Sequence, residues 1–196
     1  MSTFNTIAGK AEGFYKEKGS KFIGLAIPLL TEDEVKAKLA EIKADHPQAR
    51  HICYAFRIAV KHELSRSSDG GEPPNSAGPP ILGQIRSFGL TNVLVAVVRY
   101  FGGTKLGIPG LILAYKEAAA DALLNAEIVN DYEKVIVVVE IPYVRLALLK
   151  NFINRNAVQV ISNEFGESCI FTIGISQDDA DGLLVGLKMI PGIQLK

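Results

Sequence analysis

The chain has 196 residues, 48% of them hydrophobic and 21% charged, with 21 basic against 21 acidic side chains. That composition fits one large globular domain or two small ones and excludes a disordered chain. A net charge of zero argues against a protein that grips nucleic acid chiefly by counterion release, while leaving room for a local basic patch.

In chain order, residues 14–15 and 22–28 read as strands around a turn at Lys18-Gly19-Ser20. Thr31 and Glu34 have capping-box spacing, and Val35, Leu39 and Ile42 recur at helical spacing up to His46-Pro47. From residue 51 to 60, Ile52, Tyr54, Phe56, Ile58 and Val60 alternate, which predicts a strand with one strongly apolar side. Residues 67–80, SSDGGEPPNSAGPP, predict a loop with neither helix nor strand. A short helix over 80–88 follows. The continuous apolar run over 93–100 then predicts a strand buried on both faces. Pro109 suits the first turn of a helix that ends near Glu127. Residues 127–131 read as a linker between a domain of residues 1–130 and one of residues 131–196. The second part reads strand 132–141, helix 142–154, strands 157–162 and 169–175 around a loop at 163–167, helix 177–189 capped from Ser176, and strand 193–195. The order β-α-β-β-α-β is the ferredoxin-like split β-α-β pattern, so the fold class is α+β in two domains.

No apolar run reaches the roughly 18–20 residues of a membrane helix, and the first residues lack a signal core. A cytoplasmic protein is the expectation. Cys53 and Cys169 lie in apolar strand patterns and read as buried thiols.

The chemistry-bearing residues gather between positions 67 and 116. Arg99 follows six apolar residues, so its guanidinium emerges at the end of a strand. It is either paired with Asp69 or Glu72, which locks the loop down, or held for a phosphate or carboxylate ligand. The rule that buried charges are paired favours the first. Gly102 and Gly103, followed by Lys105, lie between strand and helix, where glycines and unpaired helix N–H groups suit either an anion or a tight packing turn. The Walker signature and the dinucleotide-binding fingerprint are both missing. Asp69 and Glu72 are loop acids more suited to pairing with arginine than to catalysis or metal binding. His51 and Cys53 share a strand face without a third orienting group, and the histidines and cysteines show no zinc spacing. Lys10, Lys16, Lys18 and Lys21 cluster around the first two strands, and with Arg99 and Lys105 they can make a basic face. Catalytic residues, metal ligands and cofactors are not expected.

These motifs resemble a known family. Lys18-Gly19-Ser20-Lys21-Phe22, His51-Ile52-Cys53-Tyr54-Ala55, residues 69–80 and Arg99-Tyr100-Phe101-Gly102-Gly103-Thr104-Lys105-Leu106-Gly107 are similar to the IMPACT family, in particular its bacterial YigZ-like branch. The resemblance implies a first domain with the α+β sandwich shared by a ribosomal protein domain and the GHMP kinases. It implies a second, ferredoxin-like domain similar to the last domain of elongation factor G. Eukaryotic relatives regulate translation by interfering with activation of an amino-acid-starvation kinase. The expected role is a non-enzymatic binding protein for RNA, the ribosome or a translation factor, through Lys18, Lys21, Asp69, Glu72, Arg99, Gly102, Gly103 and Lys105. The alternative is an enzyme or sensor for a small phosphorylated anion at the Arg99–Lys105 turn. Asn75 and Ser76 stand where relatives often carry Gly and Thr, and Pro109 replaces a Gly. The glycine-serine phosphate loop of the kinases is absent, so kinase activity is not inherited.

Overall fold

The computed structural model describes residues 3–58, 64–132 and 134–196. The chain divides into a compact unit of Phe4–Asp131 and a second containing Tyr132–Lys196.

The first unit is built on a five-stranded sheet. Its strands are β2 (Ala11–Glu17), β3 (Ser20–Pro28), β4 (His51–Ile58), β5 (Leu64–Ser68) and β6 (Val93–Tyr100), in the spatial order β2-β3-β6-β4-β5. Neighbours are antiparallel throughout. β6 takes the central place because its residues are apolar on both faces, and Val93 to Val98 are fully buried. Lys18 (φ 45°) and Gly19 (φ 80°) make the two-residue turn between β2 and β3, the left-handed pair that such a hairpin requires.

Helices α2 (Gly78–Ser87) and α3 (Gly107–Leu124) cover one face of the sheet. Ala114, Ala118 and Ala122 on α3 let the helix lie almost on the strands. A Cβ on Gly24 would overlap the Ala118 carbonyl oxygen, and one on Gly13 the Ala122 nitrogen, so small residues on both sides set the spacing. Helix α1 (Asp33–Asp45) covers part of the opposite face through Val35, Leu39 and Ile42. β1 (Thr3–Ile7) pairs with β7 (Ile128–Tyr132) in a separate two-stranded sheet.

Several sequence expectations need correction. Ser67 and Ser68 close β5, and Gly78 to Pro80 open α2, so the irregular loop is only residues 69–77. The supposed linker at 127–131 is mostly β7, held by its pairing with β1 rather than by its own pattern. β4 does not have one apolar side, because Cys53 and Ala55 sit in the core beneath α2 and α3 while Phe56 and Ile58 pack beside α1. Val60 lies outside the described residues. α1 begins at Asp33, and Thr31 donates its hydroxyl to the Glu34 carboxylate rather than capping the backbone.

The second unit runs β8 (Lys134–Ile141), a 3-10 turn (Tyr143–Arg145), α4 (Leu146–Arg155), β9 (Gln159–Phe165), β10 (Cys169–Ser176), α5 (Ala180–Lys188) and β11 (Gln194–Leu195). The strand order β11-β8-β10-β9, antiparallel throughout, is the split β-α-β arrangement. α5 starts three residues later than the cap at Ser176 suggests, and Asp179 precedes it without a side-chain cap. No helix of the described residues is long and apolar enough to cross a membrane.

Candidate functional site

Along β6, residues 93, 95, 97 and 99 share the face turned toward α2 and α3, so Arg99 enters the core at the strand's end. Its Nη1 donates to Glu72 Oε1 at 2.6 Å, and the two side chains are only 7% and 5% exposed. The Tyr115 hydroxyl, from α3, donates to the same carboxylate oxygen at 2.9 Å. The Phe22 and Phe101 rings lie 5.4 and 5.5 Å from the guanidinium carbon. Of the two expected partners Arg99 takes Glu72, and its buried Nε has no hydrogen-bond partner among the described residues. A buried pair of this kind adds little net stability, but losing one member strands the other charge.

Asp69 does a different job. Its Oδ1 accepts the backbone N–H groups of Ala77 and Gly78 at 2.9 and 2.8 Å, and its Oδ2 accepts that of Asn75 at 2.9 Å. Ala77 and Gly78 open α2, so Asp69 caps a helix from nine residues upstream. Burial pushes the Asp69 pKa up, and the three N–H bonds outweigh it and hold the carboxyl below the usual range. Asn75 adopts φ 63°, a left-handed conformation that asparagine tolerates.

β4 anchors the same loop. His51 Nδ1 lies 3.1 Å from the Gly70 carbonyl oxygen, and the Cys53 thiol donates to the Asp69 carbonyl at 2.9 Å. The two residues that suggested thiol–imidazole chemistry are therefore tethers for loop carbonyls. Burial pushes the Cys53 thiol up to about 12 and moves the Tyr115 phenol well above its ordinary value. Both groups stay protonated and donate at neutral pH.

The double glycine has a packing reason. A Cβ on Gly102 would overlap the Gly19 carbonyl carbon in the β2–β3 turn, and the Gly102 N–H donates to Ser20 Oγ at 3.1 Å. Gly103 supplies φ 89°. α3 starts only at Gly107, and Pro109 removes the N–H of its third residue. These features favour the packing turn over the anion cradle.

A cleft of about 450 Å³ opens beside the ion pair. Glu72, Pro73 and Arg99 form one wall, with Arg50, His51, Phe101, Lys105 and the start of α3 around them. A second hollow of about 470 Å³ lies beside Tyr100 and is lined by Phe14, Lys16, Lys21, Ile23, His46 and Phe101 among others. Of the residues singled out from sequence, the first cleft gathers His51, Glu72, Arg99 and Lys105, and the second takes Lys16 and Lys21. Lys18 sits at the hairpin turn and lines neither, and Asp69 is spent inside the loop. Tyr115, Arg50 and Phe101 were missed. The aromatic pair Tyr100-Phe101 between Arg99 and the double glycine was the available signal for Phe101; Tyr115 is hidden in an alanine-rich helix. Among the described residues, no three of His, Cys, Asp or Glu group as a metal ion would require.

Comparison with known proteins adds kinship to this geometry. The model of the Impact N-terminal domain matches residues 18–123. An IMPACT family member from Thermus thermophilus is 49% identical over 107 residues, 55% of this chain and 56% of the relative, so the match spans about half of that protein. One from Haemophilus influenzae is 32% identical over 163 residues, 82% of this chain and 79% of the relative. YigZ of Escherichia coli is 36% identical over 108 residues, 54% of this chain and 53% of the relative. A crystal structure of a hypothetical protein superposes with a TM-score of 0.69 at 24% identity, covering 100% of this chain and 97% of that one, which speaks to the fold alone.

Proposed function

From the premise that the chain belongs to the IMPACT family, we propose that it is a non-enzymatic cytoplasmic binding protein that regulates translation by contacting RNA, the ribosome or a translation factor. The translational role that the family resemblance implies supports the process. The rim of the first cleft is the observation that carries the mode of action. Lys105 and Arg50 are exposed there, beside Phe101 and Ile108, which are 47% and 52% exposed. Large apolar groups next to cations suit a macromolecular partner better than a small solute. The wall behind them is already neutral, because Glu72 holds Arg99. The buried thiol and phenol stay protonated at neutral pH and supply no nucleophile.

Ribosome co-sedimentation across a salt series tests this. The expected result is pelleting at low salt, release as salt rises, and loss in an Arg50→Glu/Lys105→Glu variant. Absence of pelleting at low salt, or indifference to charge reversal, counts against it.

A second reading, a small phosphorylated ligand in the cleft, draws on the Nε of Arg99, which has no partner among the described residues. The Glu72 carboxylate and the missing Pro109 N–H weigh against it. A saturable rise in melting temperature with a nucleotide or sugar phosphate is the result that restores it.

A further inference from the structure

We propose that the open face of the five-stranded sheet, from β2 to the end of β6, binds single-stranded RNA. This rests on the RNA arm of the reading above and gives it a place and a chemistry. The register sets Phe14 opposite Ile23, Lys16 opposite Lys21, and Lys21 opposite Tyr100. Strand alternation puts all of these side chains on one face. α1 covers the neighbouring part of that face, where Leu39 and Ile42 pack with Leu25, Ile27, Ala96 and Val98. Beyond α1 the face opens into the second hollow, with His46 at its edge, 2.9 Å from the Tyr100 hydroxyl.

Two observations point to a polyanion with flat bases. Lys16 and Lys21 are exposed and directly opposed across the β2–β3 pair, an arrangement of like charges that costs stability. The acid nearest along β2 on this face, Glu12, pairs with Lys10 at 3.4 Å and is not offered to them. The rings of Phe14 and Phe101 are 46% and 47% exposed, and Lys16 Nζ stands 5.2 Å from the centre of the Phe14 ring. Exposed rings interleaved with lysines on an open sheet stack bases and hold the phosphates between them. An acidic peptide satisfies the lysines but has no use for the rings.

The chain contains no tryptophan, so Phe14→Trp installs a single indole reporter at the proposed stacking position. Its emission is read while a ten-nucleotide single-stranded RNA of mixed sequence is added, with a duplex of that sequence and polyglutamate as parallel arms. Saturable quenching by the single strand alone is expected. Lys16→Glu/Lys21→Glu, introduced in the same background, weakens the affinity about tenfold or more, and Lys16→Ala/Lys21→Ala flattens the log affinity–log salt slope by about 1.4. In the otherwise native chain, Phe14→Ala weakens anisotropy-detected binding about tenfold. All of these side chains are exposed, and melting curves verify the folds. Absence of quenching, or quenching of equal strength by the duplex or by polyglutamate, overturns the proposal. If ribosome pelleting persists in either case, the broader reading stands and only this surface is wrong.

Discussion

The 69–77 loop and the rim of Arg50 and Lys105 border the same cleft and treat charge in opposite ways. In the loop, the Glu72 carboxylate takes bonds from Arg99 and Tyr115, and the Asp69 carboxylate takes three from the backbone. On the rim, the cations are exposed and stand beside exposed apolar groups. A charge inside the fold needs a fixed partner; a charge on the rim can be met by a partner that arrives. On the proposed reading, the difference separates scaffold from contact surface within one small region.

The sharpest way to break that separation is Glu72→Ala. It leaves the Arg99 guanidinium buried without its acid, and chemical denaturation is expected to show a loss of about 3–5 kcal/mol. Lys105→Ala is expected to stay within about 0.5 kcal/mol of the parent. Equal effects would erase the distinction.

Gly102→Ala comes next. Its methyl group would overlap the Gly19 carbonyl carbon, so the hairpin and the β6–α3 connection must part, at roughly 1–3 kcal/mol. Unchanged stability would show that the two turns are not packed together.

Asp69→Ala removes the acceptor of three N–H groups and is expected to cost about 1–3 kcal/mol at pH 7. The pH dependence sharpens the test. The folded-state pKa of Asp69 lies below its unfolded value, so its ionic contribution is complete above about pH 4. That contribution fades as pH falls through the depressed folded value. The stability gap between parent and variant should therefore narrow in acid, and a gap independent of pH would show that the carboxylate's charge does nothing. Asn75→Gly, at φ 63°, is the smallest effect, within about 0.5 kcal/mol either way.

Much of this contrast could be read from the residues. A charge at the end of an apolar run and acids on a Gly/Pro loop implied the Arg99 pairing, and the unbroken apolar pattern of β6 placed it at the centre of a sheet. β5 was harder to see, because Leu64-Ser65-Arg66-Ser67-Ser68 is an edge strand with little apolar content. β7 was hidden because its partner β1 lies more than a hundred residues away, and long-range pairing leaves no local trace. The role of Asp69 depends on backbone N–H groups six to nine residues downstream, which side-chain identity does not encode. The like-charge facing of Lys16 and Lys21 becomes visible only once the hairpin register is known.

The central claim is that the Arg99–Glu72 pair is scaffold and the rim is the contact surface. Ribosome co-sedimentation of an Arg99→Met/Glu72→Met double variant beside Arg50→Glu/Lys105→Glu, with melting temperatures recorded for both, tests it most directly. Exchanging both charges together leaves neither one stranded. The first variant is expected to pellet with ribosomes as the parent does, and the second to stay in the supernatant at unchanged melting temperature. A double variant that folds with the parent's melting temperature and no longer pellets would contradict the account.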